Sequence, residues 1–184
     1  MDEDQFAIQN CQMGKKESYR FLVEKYKTRA YYAALIYTGN REEALDLSQE
    51  AFFRAYRAIK SFQLGKNFYT WFYQILKNLC INHYNRKKKR TIVFSDAEEQ
   101  KGAELYLSPA ENPEQIFEKH EMREIVWKAL NNLKKEDREI IILKEFNELS
   151  YMEIAEVVGI PIGSVMSRLF YARQKLGKLL EEMT

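Results

Sequence analysis

Glycine, proline, histidine and cysteine are all scarce in this chain. Among 184 residues there are 7 Gly, 3 Pro, 2 His and 2 Cys. So few helix breakers exclude a turn-rich or low-complexity chain and predict an all-α fold. Cys11 and Cys80 lack the spacing of a disulfide framework or a metal site. A reducing cytoplasm is therefore the expected compartment, and no metal or cofactor is expected. His83 and His120 stand far apart, and no paired-carboxylate or Ser/His constellation accompanies them, so the chain is not expected to be an enzyme. The longest apolar runs, such as AYYAALIY, are too short to cross a bilayer, which excludes membrane insertion. The N-terminus, MDEDQFAIQN, is acidic where a secretory signal is basic and then apolar.

What is present is charge, and it is unevenly placed. Residues 1–90 carry 17 Lys and Arg against 9 Asp and Glu; residues 91–122 carry 2 against 8; residues 123–184 carry 10 against 10. A basic front, an acidic middle and a neutral back predict a domain, a linker and a second domain. The middle also holds SPAENPEQ and little hydrophobic periodicity, so roughly 91–112 reads as a flexible connector.

In the front half, TGNREEALDLSQEAFFRAYRAIKSF has the marks of an amphipathic helix. Asn40 can cap it, with Glu43 three residues on at capping-box spacing. Ala44, Leu47, Ala51, Ala55 and Ala58, with Phe52 and Ile59, share an apolar side. Phe53 interrupts the opposite, polar side and is ringed by Asp46, Gln49 and Glu50. A lone exposed aromatic is common, but an aromatic with a polar rim is the pattern of a docking anchor.

The loop QLGKN then leads into a second helix, FYTWFYQILKNLCINHYNRKKKR. Phe68, Phe72, Ile75 and Leu79 recur at helical spacing and are expected in the core. Gln74, Asn78 and Asn85 share another face, with Trp71 and Asn82 at its border. Carboxamides are neutral donor–acceptor groups suited to base edges and phosphates, and aromatics beside them can stack unpaired bases. The run Arg86-Lys87-Lys88-Lys89-Arg90 would attract a phosphate backbone. Each feature alone is also what core packing or a solvated surface produces; their conjunction on one element points to nucleic acid.

The back half holds four helical stretches. Ile125, Leu130 and Leu133 serve the first, and Ile140, Ile141 and Leu143 the second. Ser150 and Glu153 give the third a capping box ahead of Ile154, Ala155 and Val158. Gly159 suits a left-handed helix end, and Pro161 suits the first turn of the next helix. Helix, three-residue turn and helix is the plan of a helix-turn-helix. In the last helix Val165, Leu169, Ala172 and Leu176 face inward. Ser164, Arg168, Tyr171 and Lys175 form an adjacent row, with Ser167 and Gln174 beyond it, a profile that fits a DNA major groove.

On these motifs the chain resembles the extracytoplasmic-function (group IV) sigma factors of bacterial RNA polymerase. ALDLSQEAFFRAY is similar to their region 2.2, FYTWFYQILKNLCINHYNRKKKR to regions 2.3 and 2.4, and LSYMEIAEVVGIPIGSVMSRLFYARQKL to region 4.2; FYTW leans toward the sigma E branch. The resemblance implies a region 2 bundle over 1–90, an acidic linker over 91–122 and a region 4 helix-turn-helix over 123–184. It implies that Asp46, Gln49, Glu50 and Phe53 dock on the clamp coiled coil of core polymerase. It assigns Phe62, Gly65, Lys66, Asn67, Trp71, Gln74, Asn78, Asn82, Arg86 and Lys87 to the opened −10 DNA, with Phe62 and the loop helping to capture a flipped base and Trp71 as packing support. It assigns Ser150, Tyr151, Ser164, Ser167, Arg168, Phe170, Tyr171, Arg173 and Lys175 to −35 DNA. Phe170 and Arg173 lie off the main row of the helix. The hydrophobic back of the domain would seat on the polymerase flap tip, the acidic linker would thread a path built for RNA, and an anti-sigma factor is implied as a regulator.

Three positions depart from the family pattern. Asn82 stands where aspartate is frequent, and Met166 and Tyr171 stand where Arg or Lys is frequent. Fewer cations weaken phosphate attraction and its salt dependence. Two other readings fit parts of the chain: a stand-alone dimeric regulator, for which no segment is left as an interface, and a helical adaptor whose basic run is merely solvated.

Overall fold

The computed structural model describes residues 2–91, 122 and 124–183. Among the described residues every regular element is helical, as the scarcity of Gly and Pro predicts. They divide into two compact units. The acidic connector expected between the two lies outside the described residues.

The first unit holds α1 (Glu3–Gln12), α2 (Tyr19–Thr38), α3 (Arg41–Ala58) and α4 (Phe68–Thr91). Asp2 caps α1, its carboxylate accepting from the Asp4 N–H at 3.4 Å. Ala7, Ile8 and Cys11 bury one side of this short helix. Asp4 is also buried, and its carboxylate accepts from Lys25 Nζ at 2.7 Å and from the Tyr26 hydroxyl. Burial, reinforced by that bond, pushes the Tyr26 phenol well above its ordinary range, so it remains a donor.

The core of this unit is aromatic. Phe52 stacks on Phe72 with ring centroids 4.4 Å apart, and Tyr26 stacks on Tyr69 at 5.2 Å. The Tyr19 hydroxyl donates to the Phe52 carbonyl at 2.7 Å, which joins α2 to α3. Ala44, Ala51 and Ala55 of α3 are fully buried. The core phase of α4 differs from the sequence expectation. Phe68, Phe72 and Leu79 are buried, but Ile75 is only half-buried, and Tyr69, Tyr73 and Leu76 fill the interior instead. Apolar residues surround this stretch on more than one side, so spacing alone leaves the centre of the buried stripe about one position uncertain.

The second unit holds α5 over 124–131, α6 (Lys135–Ile141), α7 (Tyr151–Val158) and α8 (Ile162–Glu181). Helix α6 runs on into a π-helical turn, Ile142–Phe146, which the sequence pattern did not predict. Ile140, Ile141, Ile142, Leu143, Ile154, Val165 and Leu169 form the interior. Leu130 and Leu133 are buried as expected, whereas Ile125 is half-buried and Trp127 takes an inner place. Arg138 ties α6 to α5 by donating to the Asn131 side chain at 2.8 Å, and burial lowers its pKa.

The turn between α7 and α8 follows its local sequence closely. Ser150 and Glu153 form the reciprocal capping box at the start of α7. Gly159 closes α7 in the left-handed conformation at φ 76°, ψ 35°, where any other residue would be strained. Pro161 stands at the N-cap of α8, one place before the expected first turn. The two helices bend by 100° across this break, the angle range of a helix-turn-helix. No single described helix is long and apolar enough to cross a membrane.

Candidate nucleic-acid interface

Three exposed surfaces collect the residues singled out in the sequence. The first is the outer side of α3. Phe53 is 56% exposed. Asp46 and Gln49 are exposed around it, and Glu50 is half-buried. Glu50 accepts from Arg54 Nε at 2.7 Å, and the Arg57 guanidinium lies 5.8 Å from the centroid of the Phe53 ring. Phe53 thus presents an apolar disc in a charged frame.

The second surface joins the loop before α4 to one side of α4. Trp71, Gln74, Asn78, Asn82 and Asn85 follow one another at intervals of three or four and share a single stripe. Trp71 and Gln74 are half-buried; Asn78, Asn82, Asn85 and Arg86 are exposed. Gly65, Lys66 and Asn67 are exposed in the loop, with Gly65 at φ 89°. Asn67 also starts the helix, its side-chain oxygen accepting from the Thr70 N–H at 3.0 Å.

Two members of the −10 set sit elsewhere. Phe62 is 5% exposed. Its ring packs edge-on against Trp71 at 5.2 Å and against Phe68 at 6.1 Å. It is the floor beneath Trp71 rather than an open stacking surface. Lys87 turns toward α3, where its Nζ donates to Glu43 at 2.9 Å; the other Glu43 oxygen lies 3.0 Å from His83 Nε2. The side chains of Lys89 and Arg90 lie outside the described residues.

The third surface is the outside of α8. Ser164, Ser167, Phe170 and Tyr171 are exposed, and Arg168 is half-buried. Phe170 and Tyr171 meet edge-to-face at 5.4 Å. Ser167 donates back to the Gly163 carbonyl at 2.9 Å. Arg173 donates from Nε to Glu145 at 2.9 Å and from a terminal nitrogen to the same carboxylate, which holds its guanidinium above the ordinary range. Lys175 reaches Asp137 at 2.8 Å. Two of the three cations of the −35 set, Arg173 and Lys175, therefore serve as ties from α8 to α6 and its π turn, while Arg168 makes no such pair. Ser150 is engaged in capping α7, and the Lys144 ammonium sits 5.0 Å from the centre of the Tyr151 ring.

Sequence reasoning missed several participants. Glu145 and Asp137 determine which cations of α8 remain available. Ile162 is exposed on α8 beside the expected row. Gln5 and Gln12 of α1 hold the loop before α4, although nothing in their spacing marks them.

Two compact helical units, one with a carboxamide-lined helix and loop and the other with a helix-turn-helix, define a two-module transcription factor. Known proteins give it a family. Residues 22–90 match the Sigma-70 region 2 model and residues 123–176 the Sigma-70 region 4 model. The chain is 33% identical to the RNA polymerase sigma-H factor of Pseudomonas aeruginosa, covering 99% of this chain and 96% of that protein. It is 31% identical to the ECF RNA polymerase sigma factor SigW of Bacillus subtilis, covering 96% of each. It is 31% identical to the ECF sigma-E factor of Escherichia coli, covering 98% of this chain and 95% of that one. The chain belongs to the extracytoplasmic-function family of RNA polymerase sigma factors. These are non-enzymatic initiation factors that act with core polymerase on promoter DNA. Two solved structures share its fold: sigma factor RpoE of Bartonella quintana in complex with the anti-sigma factor NepR, at TM-score 0.75 and 23% identity over 90% of this chain and 98% of that one, and CnrH in complex with the cytosolic domain of CnrY, at 0.71 and 21% over the full length of both.

Proposed function

We propose that this sigma factor directs core polymerase to promoters by two separate readings, one by residues 1–90 at the −10 element and one by residues 123–184 at the −35 element, with residues 91–122 as the acidic tether. Phe53 with Asp46, Gln49 and Glu50 docks on the clamp coiled coil of the polymerase, and the second unit seats on the flap tip. The observation that carries the −10 assignment is the row Trp71, Gln74, Asn78, Asn82 and Asn85 beside an exposed Gly65-Lys66-Asn67 loop. Neutral amides next to a ring and an open loop suit unpaired bases better than an intact duplex. Unstacking one base costs a few kcal/mol, and stacking and pocket contacts return about 1–3 kcal/mol per base, enough to make local opening nearly neutral.

At the −35 element α8 enters the major groove, with Ser164, Ser167, Arg168 and Tyr171 toward the bases. Arg173 and Lys175 act chiefly by fixing the pose of α8. Phe62 supports Trp71 from below, and Lys87 braces α4 against α3 as well as adding positive potential near the backbone. A regulatory anti-sigma factor covering these surfaces, a role in a stress response and a cytoplasmic location complete the reading. Mixing the purified chain with core polymerase and a promoter library tests it. Transcripts that begin at defined sites only when both proteins are present support it. Tight duplex binding without polymerase would make the chain a stand-alone regulator, and the absence of both activities would leave a helical adaptor.

A further inference from the structure

Helix α1 lies before residue 22, where the region 2 match begins, and it contributes two glutamines that bond the loop leading into α4. Gln5 Oε1 accepts from the Gly65 N–H at 2.8 Å, and Gln5 Nε2 donates to the Lys66 carbonyl at 2.8 Å. Gln12 Nε2 donates to the Ile59 and Phe62 carbonyls, both at 2.9 Å. The two glutamines are seven residues apart, two turns along the same side of the helix. One holds the start of the segment and the other holds its tip. A reversed Gln5 amide would set donor against donor and acceptor against acceptor, so the two bonds fix a single orientation.

The helix that carries them is itself held. Asp4, adjacent to Gln5, is buried and takes the Tyr26 hydroxyl and the Lys25 ammonium. Gly65, at φ 89°, has backbone freedom that would otherwise let the tip adopt many shapes. We propose that α1 is a splint, and that Gln5 and Gln12 are positioning residues that hold the loop 62–67 in a base-receiving shape before DNA arrives. Ordering the loop in advance removes an entropic cost from binding. The inference rests on the assignment of this loop to the −10 base. The bonds are neutral amide contacts, so the order they impose is insensitive to salt, unlike contacts to phosphate.

The test uses holoenzyme assembled from the full chain and a pool of single-stranded DNA randomised over six positions. Wild-type holoenzyme enriches one base strongly at the captured position. Gln5→Leu keeps the helix preference of the side chain but makes neither bond. It flattens the preference at that position by about tenfold, at low and high salt alike, while affinity for core polymerase and the preferences at other positions stay within twofold. Gln12→Leu gives a smaller loss at the same position. Gln9→Leu, also on α1, leaves the preferences unchanged. Unchanged selectivity in Gln5→Leu overturns the splint. So does a uniform loss of DNA binding, core binding and thermal stability, because that outcome describes a merely structural residue. A wild-type holoenzyme with no positional preference would instead overturn the −10 assignment itself.

Discussion

The two units expose helices of opposite kinds. On α4 of the first unit, Asn78, Asn82 and Asn85 stand exposed along the outer row. The adjoining loop is fastened by glutamine amides. On α8 of the second unit, two cations are drawn away to Glu145 and Asp137, and Ser164, Met166, Ser167, Phe170 and Tyr171 stand exposed beside them. Neutral fastenings hold the loop that we propose receives a base pulled out of its stack. Ion pairs hold the helix that we propose meets DNA still in the duplex. The first arrangement relies on shape prepared beforehand, and the second on how one helix is aimed.

The largest effects should show whether the units are separable. Leu169→Ala in the second unit and Phe72→Ala in the first each empty a fully buried site. Each should cost about 2–5 kcal/mol of its own unit's stability. The first should remove −35 binding while selection of −10 single strands persists, and the second should do the reverse. Hydrogen exchange read helix by helix checks this, and loss of protection in both units from either variant would dissolve the comparison. Next comes Phe53→Ala. A central aromatic anchor is worth about 2 kcal/mol or more in binding, and an exposed one contributes little to folding. Core affinity should drop at least about thirtyfold in a competition assay with the melting temperature held. Unchanged affinity would remove α3 from the docking surface.

Smaller effects separate the cations of α8. Arg168→Ala should weaken −35 binding by about 1–3 kcal/mol and relax preference at one base pair if its contact is to a base edge. An equal loss on every duplex would make it a phosphate contact. Lys175→Ala should weaken binding by less, with little change in salt slope, because its charge is already matched by Asp137 at 2.8 Å. A slope shallower by about one unit would show that Lys175 leaves Asp137 for a phosphate.

The helix-turn-helix was legible because its signals are local. Ser150 and Glu153 are three residues apart, and Gly159 needs only its own backbone to end α7. Phe53 was legible as an exception to the helical pattern around it. The commitments of the cations were not. Arg173 meets a partner 28 residues away and Lys175 one 38 away, across a π turn that no periodicity announces. The Gln5 clamp closes over 60 and 61 residues. The burial of Phe62 against Trp71 and Phe68 was not legible either, because it depends on how the loop folds back. Short-range chemistry shows in a sequence, whereas pairing between distant polar groups needs the fold.

The smallest effect concerns the Glu43 carboxylate, which links α3 to α4. Burial alone would raise the Glu43 carboxyl, but Lys87 and His83 outweigh it and hold the group below its ordinary value of 4.5. A carboxyl lowered in this way stabilises the fold above its unfolded pKa and loses that contribution as pH falls through the folded one. The bridge is therefore fully formed at neutral pH and fades below about pH 4.5. The Lys87 side chain is 50% exposed, so screening by water limits the gain to about 1 kcal/mol or less. Exchange protection in α4 should fall more steeply on acidification in the wild type than in Glu43→Gln, which lacks the titrating group. Parallel acid curves for the two proteins would show that Glu43 does not couple α3 to α4.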